Sequence, residues 1–120
     1  MSKVIVVIED DEYLMYMIRY ILNEEGYIVE EFQKIPTIEQ VRALQPHLVL
    51  TDLKLPNGNG NEFCKDLKNS PLTKHIPVIV VSATDDVANI AFQYKADAFI
   101  AKPFDLTSFM TVVNDAVAAY

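Results

Sequence analysis

The chain is 120 residues long, 51% hydrophobic and 22% charged, with 3 Gly and 6 Pro. That length predicts one domain, and the composition suits a single buried core while excluding intrinsic disorder and collagen-like repeats. Ten Lys and Arg against 17 Asp and Glu leave a net charge of −7, which repels a phosphate backbone and argues against nucleic-acid binding.

Val4 to Ile8 is a continuous β-branched run, the pattern of a strand buried on both faces. From Asp11 onward Leu14, Met17, Ile18, Ile21 and Leu22 recur at helical spacing, and Gly26 is placed to end that helix with a left-handed cap. Ile28 to Phe32 is a more polar strand, as at a sheet edge. Thr37 and Gln40 offer a capping box for a helix carrying Ile38, Val41 and Leu44, which Pro46 stops. Strands are predicted at His47 to Thr51 and Val78 to Val81, with a helix from about Gly60 to Lys68 between them. A fourth helix over Asp85 to Tyr94 and a fifth strand at Ala98 to Ala101 follow. Asp105 caps a last helix with Leu106, Phe109, Val112, Val113 and Ala116 inward.

Five strands alternating with five helices predict an α/β fold: a doubly wound parallel sheet with right-handed crossovers and helices on both faces. In such a sheet ligands collect beyond the carboxyl ends of the strands. Those ends deliver Glu9-Asp10-Asp11, Thr51-Asp52, Ser82-Ala83-Thr84 and Lys102-Pro103. Carboxylates gathered on one rim repel one another unless a cation sits among them. Mg²⁺ prefers carboxylate oxygens, water and phosphate, so Asp10 and Asp52 suit it, with Glu9 acting through water. The Ser82 hydroxyl and Lys102 ammonium add donors for an anion beside it. Together these groups describe phosphoryl transfer onto an aspartate.

These residues carry a family resemblance. VVIEDDE (6 to 12), TDLKLPNGNG (51 to 60), VIVVSA (78 to 83) and AFIAKPF (98 to 104) stand in order at strand ends. Asp10 and Asp52 are 42 positions apart, Asp52 and Ser82 are 30, and Ser82 and Lys102 are 20. The whole chain, 1 to 120, resembles a stand-alone response-regulator receiver domain of the chemotaxis type. The resemblance implies strand order 2-1-3-4-5 and assigns Asp52 as phospho-acceptor. Glu9, Asp10, Asp52 and the Lys54 carbonyl then form the Mg²⁺ pocket. Ser82 and Lys102 bind the phosphoryl oxygens, and Phe99 stands for the switch aromatic. Implied partners are a histidine kinase or phosphotransfer protein as donor and a target protein on the face of the fourth helix, fifth strand and last helix. No output domain fits in this length, so the signal is expected to pass by protein contact.

Lys95 departs from that pattern, standing where Gly is usual after the fourth helix. The chain there either avoids a left-handed conformation or tolerates one at some cost. Lys54 and Thr84 fill the two most variable positions around the phosphoryl group, and His47 replaces a frequent Asp.

Other readings compete. Acidic residues after a strand are also ordinary helix caps, the reading kept for Asp11 and Glu12. Ser82 alone reads as an ST-turn, and Lys102-Pro103 as a surface bend with room for a cis bond. His47 and His75 read as solvated, Cys64 as core-facing, and Met15, Met17 and Tyr94 as packing. A haloacid-dehalogenase-like phosphatase wants Asp-x-Asp after its first strand. A flavodoxin-like carrier wants a Ser/Thr/Gly-rich phosphate loop where Glu9 to Glu12 are all acidic. A receiver-like module that is never phosphorylated is a third alternative. The lone Cys64, a start lacking a basic region and cleavage site, and the absence of an apolar run near ~20 residues favour the cytoplasm and no membrane.

Overall fold

The computed structural model describes residues 2–119. Five strands, β1 (Val4–Ile8), β2 (Ile28–Phe32), β3 (Leu48–Asp52), β4 (Val78–Ser82) and β5 (Ala98–Ala101), form one parallel sheet in the order β2-β1-β3-β4-β5. The helices are α1 (Glu12–Glu24), α2 (Ile38–Leu44), α3 (Gly60–Asn69), α4 (Val87–Gln93) and α5 (Leu106–Ala118).

Alternation along the central strands splits the core into two layers. Ile5 and Val7 of β1, Leu48 and Leu50 of β3, and Ile79 and Val81 of β4 pack against Met15, Ile18 and Leu22 of α1 and Phe109, Val113 and Val117 of α5. Their neighbours Val6, Ile8, Val49 and Val78 face the other way, onto Val41 of α2 and Phe63, Cys64 and Leu67 of α3. Val80 joins Leu53 and Val87 beneath α4. Burying a side chain the size of Phe109 contributes about 1.5–3 kcal/mol, so the double layer fixes the sheet between its helices. The edge strand β2 keeps only partial burial, as its polar sequence requires.

Several details differ from the sequence reading. Met17 is exposed and Met15 takes the inward position, because α1 starts at Glu12 and its buried line runs Met15, Ile18, Leu22. Leu106 is likewise exposed, being the first residue of α5, and Met110 and Val117 are buried instead. The fourth helix is shorter than Asp85 to Tyr94, with Asp86 and Tyr94 flanking it. Strict alternation is interrupted by a small antiparallel hairpin, Lys54–Leu55 with Gly58–Asn59. Lys95 does adopt the left-handed conformation at φ 66°, and the Lys102–Pro103 bond is cis.

His47 is not simply solvated. It is half-buried, and its Nδ1 accepts the Val4 N–H at 3.1 Å while the His47 backbone N–H donates to Val4 O at 2.7 Å. An Asp side chain at this position would offer an acceptor of the same kind. His75 is exposed.

Candidate functional site

Register brings the strand ends level. Ile8 pairs with Thr51, Asp52 with Val81, and Ser82 with Ala101, so the residues that follow β1 and β5, Glu9 and Lys102, emerge on the rim that Asp52 and Ser82 close. β1 is covered on both faces, which is why Glu9 is only 3% exposed although it carries a carboxylate.

A buried carboxylate must be paired or bonded. Glu9 Oε2 accepts from Asp11 N–H at 3.1 Å, and Oε1 accepts from Lys102 Nζ at 3.0 Å. Lys102 Nζ also donates to Asp52 Oδ2 at 2.9 Å. Asp52 Oδ1 accepts from the Leu53 N–H at 2.6 Å. Asp10 stands exposed beside them, and one oxygen from each of Glu9, Asp10 and Asp52 lies within 4.8 Å of the others. Burial pushes the Glu9 carboxyl above its ordinary 4.5, with the Lys102 hydrogen bond opposing. For Lys102 burial acts to lower the pKa, but the Asp52 and Glu9 carboxylates outweigh it and the net shift is upward.

Three carboxylates face one ammonium, and every donor is a hard oxygen. That set suits a divalent cation such as Mg²⁺, which binds through one or two carboxylates and keeps several waters. The residues fit the group that the sequence implies.

Ser82 is buried at the end of β4, where its Oγ accepts the Thr84 N–H at 3.2 Å. The ST-turn is therefore real, and it leaves the hydroxyl proton uncommitted to that bond. Lys54 lies on the small hairpin two residues past Asp52, its side chain exposed. Phe99 stands outward on β5, 43% exposed, beside a shallow cavity of about 270 Å³ lined by Pro103, Phe104, Asp105 and Ser108. Asp11 is the N-cap of α1, its Oδ1 accepting from Leu14 N–H at 3.0 Å.

Two supporting residues were not singled out from the sequence. The buried Thr51 hydroxyl donates to Asp52 O at 2.9 Å. Gly60 donates its N–H to Leu53 O at 2.7 Å, and a Cβ there would lie 1.8 Å from Asp52 O. Only glycine lets the start of α3 approach the Asp52 backbone so closely. The available signal was a glycine at a helix start in a chain with three glycines in all.

The family model described as the response regulator receiver domain matches residues 5–114. The chain belongs to the response-regulator receiver family. This receiver is 34% identical over 117 residues to the response regulator ArlR of Staphylococcus saprophyticus, covering 95% of this chain and 51% of that protein. It spans about half the length of that relative. The chemotaxis protein CheY of Halobacterium salinarum is 28% identical over 120 residues, covering 99% of this chain and 100% of CheY. Among solved structures, a putative response regulator from Chloroflexus aurantiacus superposes with a TM-score of 0.88 at 25% identity, covering 98% of this chain and 99% of that one. The receiver assignment places this chain in two-component signalling. No helix among the described residues is long and apolar enough to cross a membrane.

Proposed function

We propose that residues 1–120 act as one cytoplasmic receiver domain that takes a phosphoryl group onto Asp52 from a phosphohistidine of a histidine kinase or phosphotransfer protein. The observation that carries this reading is the Asp52 carboxylate held by Lys102 at 2.9 Å inside a cluster of three acidic oxygens. An Asp52 carboxylate oxygen attacks phosphorus. The new O–P bond forms as the P–N bond breaks, and the electron pair stays on the donor's imidazole nitrogen.

Glu9, Asp10, Asp52 and the Lys54 carbonyl would hold Mg²⁺. When bound, the ion supplies positive charge to the acidic rim and the phosphoryl oxygens. Lys102 already spans Glu9 and Asp52, so a phosphoryl oxygen on Asp52 meets an ammonium within reach and forms a charge-assisted hydrogen bond. Ser82 supplies the second donor through the proton that its turn does not use. As Ser82 is drawn toward the phosphoryl group, Phe99 turns inward behind it, and a partner protein reads the α4, β5 and α5 face. Phe99 has no hydroxyl to keep in water, so the inward rotamer is populated before phosphorylation and the switch is leaky. The chain catalyses its own phosphorylation and dephosphorylation and turns over no other substrate. Its acidic surface favours protein over nucleic-acid partners.

Incubation with a small phosphodonor and Mg²⁺ tests the reading. A single phosphoryl mass increment mapped to Asp52, absent in Asp52→Asn and after chelation, is the expected result. An undiminished adduct in Asp52→Asn refutes it.

A further inference from the structure

The loop that follows Asp52 is gripped from outside the site. Its tip is Pro56-Asn57, the turn of the small hairpin, and the Asn57 side chain reaches the β2–α2 loop 22 residues earlier in the chain. There its Oδ1 accepts the Ile35 N–H at 2.8 Å, and its Nδ2 donates to Ile35 O at 3.1 Å. One side-chain amide thus exchanges both hydrogen bonds with one residue's backbone, as two paired residues do in an antiparallel ladder. A second contact is independent of the first. The Ile35 Cδ1 lies 3.2 Å from where a Cβ would stand on Gly58, so the residue after Asn57 makes room for the isoleucine tip. Ile35 also packs on the layer containing Val6, Ile8 and Val41, and the next residue, Pro36, is buried. Asn57 therefore holds a point that the core itself holds.

We propose that Asn57 is a positioning residue for the acceptor loop, its amide tying the hairpin tip to the β2–α2 loop and so fixing the Lys54 backbone relative to Asp52. The hairpin transmits the restraint because Lys54 pairs with Asn59 and Leu55 with Gly58, while Gly60 N–H closes the base on Leu53 O. With its tip released, the hairpin pivots about that base. Mg²⁺ demands near-ideal octahedral spacing of its oxygen donors, so its affinity is the property most sensitive to such a pivot. Asn57 touches neither the carboxylate cluster nor Lys102; it acts through the loop. Whatever displaces the β2–α2 loop then alters the site in the same way. This inference rests on the proposed Asp52 and Mg²⁺ reading.

The test is Asn57→Ala in the full chain, with Ile35→Ala removing the separate side-chain contact at Gly58 while leaving the backbone that Asn57 bonds. Three measurements are made: amide hydrogen exchange without metal, Mg²⁺ titration followed by amide chemical shifts, and phosphorylation rate from a small phosphodonor across Mg²⁺ concentrations. Asn57→Ala is expected to speed exchange at Ile35, Lys54 and Leu55 and to raise the Mg²⁺ half-saturation about three- to tenfold, as two lost neutral hydrogen bonds allow. The maximal rate at saturating Mg²⁺ stays within about twofold of wild type, since the nucleophile and Lys102 are untouched. Ile35→Ala shifts the half-saturation the same way by less. Unchanged exchange at Ile35, or faster exchange with an unchanged half-saturation, overturns the proposal. If the wild type takes no phosphoryl group, the functional reading fails, while the exchange coupling of Ile35 to Lys54 and the shift-detected Mg²⁺ affinity still decide the role of Asn57.

Discussion

Gly60→Ala is the sharpest perturbation of the acceptor backbone. The added methyl would sit 1.8 Å from Asp52 O, 2.9 Å from Asp52 C and 3.0 Å from Thr51 Oγ1. Real Cβ atoms essentially never come closer than 3.0 Å, so α3 and the Asp52 peptide must separate by about 1.2 Å, the same order as inserting a methylene into a packed core. Such overpacking costs about 1–3 kcal/mol, and loss of the Gly60 to Leu53 or Thr51 to Asp52 hydrogen bond adds about 0.5–1.5 kcal/mol each. Alanine's better helix propensity returns under about 1 kcal/mol. The net destabilisation is about 2–4 kcal/mol, which lowers a urea midpoint by about 1–2 M for a domain of this size. The assay is equilibrium unfolding in urea with amide shifts of Asp52 and Leu53 recorded on the same samples. Gly26 serves as the comparison, because it has a positive φ of 90° but nothing within 4 Å of its would-be Cβ; Gly26→Ala carries backbone strain alone. A Gly60→Ala midpoint within about 0.3 M of wild type, with the Asp52 and Leu53 shifts unmoved, refutes the steric argument.

Lys95→Gly relieves a left-handed lysine and should stabilise by about 0.5–1 kcal/mol, less than the full steric cost because glycine loses more entropy and the Lys95 to Asn69 bond goes; a lower urea midpoint contradicts it. His47→Ala should cost about 1–3 kcal/mol by orphaning the Val4 N–H, while His47→Asp keeps an acceptor and loses much less; equal losses in the two variants refute the acceptor role. In metal-free protein the Glu9 carboxyl should titrate above 4.5. Over that window the folded chain keeps a proton that the unfolded chain has released, so Glu9's contribution to stability falls as pH rises through the folded pKa. Lys102→Met should extend the window by removing the opposing hydrogen bond, and a carboxyl-carbon NMR midpoint at or below 4.5 in wild type refutes both statements. Lys102 follows the same sense at the alkaline end: its contribution is complete below 10.5 and is lost as pH rises through its raised folded pKa. Cys64, fully buried with its thiol pushed up to about 12 by desolvation, should react with a thiol reagent only after unfolding.

The rim residues were legible because each follows a short, mostly apolar run, and parallel topology leaves the ends of such runs on one side of the sheet. Helix phase was harder. Met15 and Met17 are both apolar, and only the start of α1 at Glu12 decides which faces β1. The small hairpin has two residues per strand, too few for any periodicity to show. Contacts across long separations were invisible for another reason. His47 finds its donor 43 residues away, and Asn57 finds Ile35 22 away; neither spacing leaves a local pattern.

The order in which the ion-paired rim can assemble follows from where Lys102 falls in the chain. It meets Asp52 across 50 residues and Glu9 across 93. During synthesis from the N-terminus, at about 5–20 residues per second, the strands that carry Glu9 and Asp52 are made well before the one that carries their cation. A nascent chain lacking β5 thus holds its carboxylates without the ammonium that offsets their repulsion. The last strand joins an edge of the sheet, yet it completes the charge balance at the centre of the rim. Replacing Lys102 alone, with β5 and α5 in place, would therefore leave a buried Glu9 without its partner.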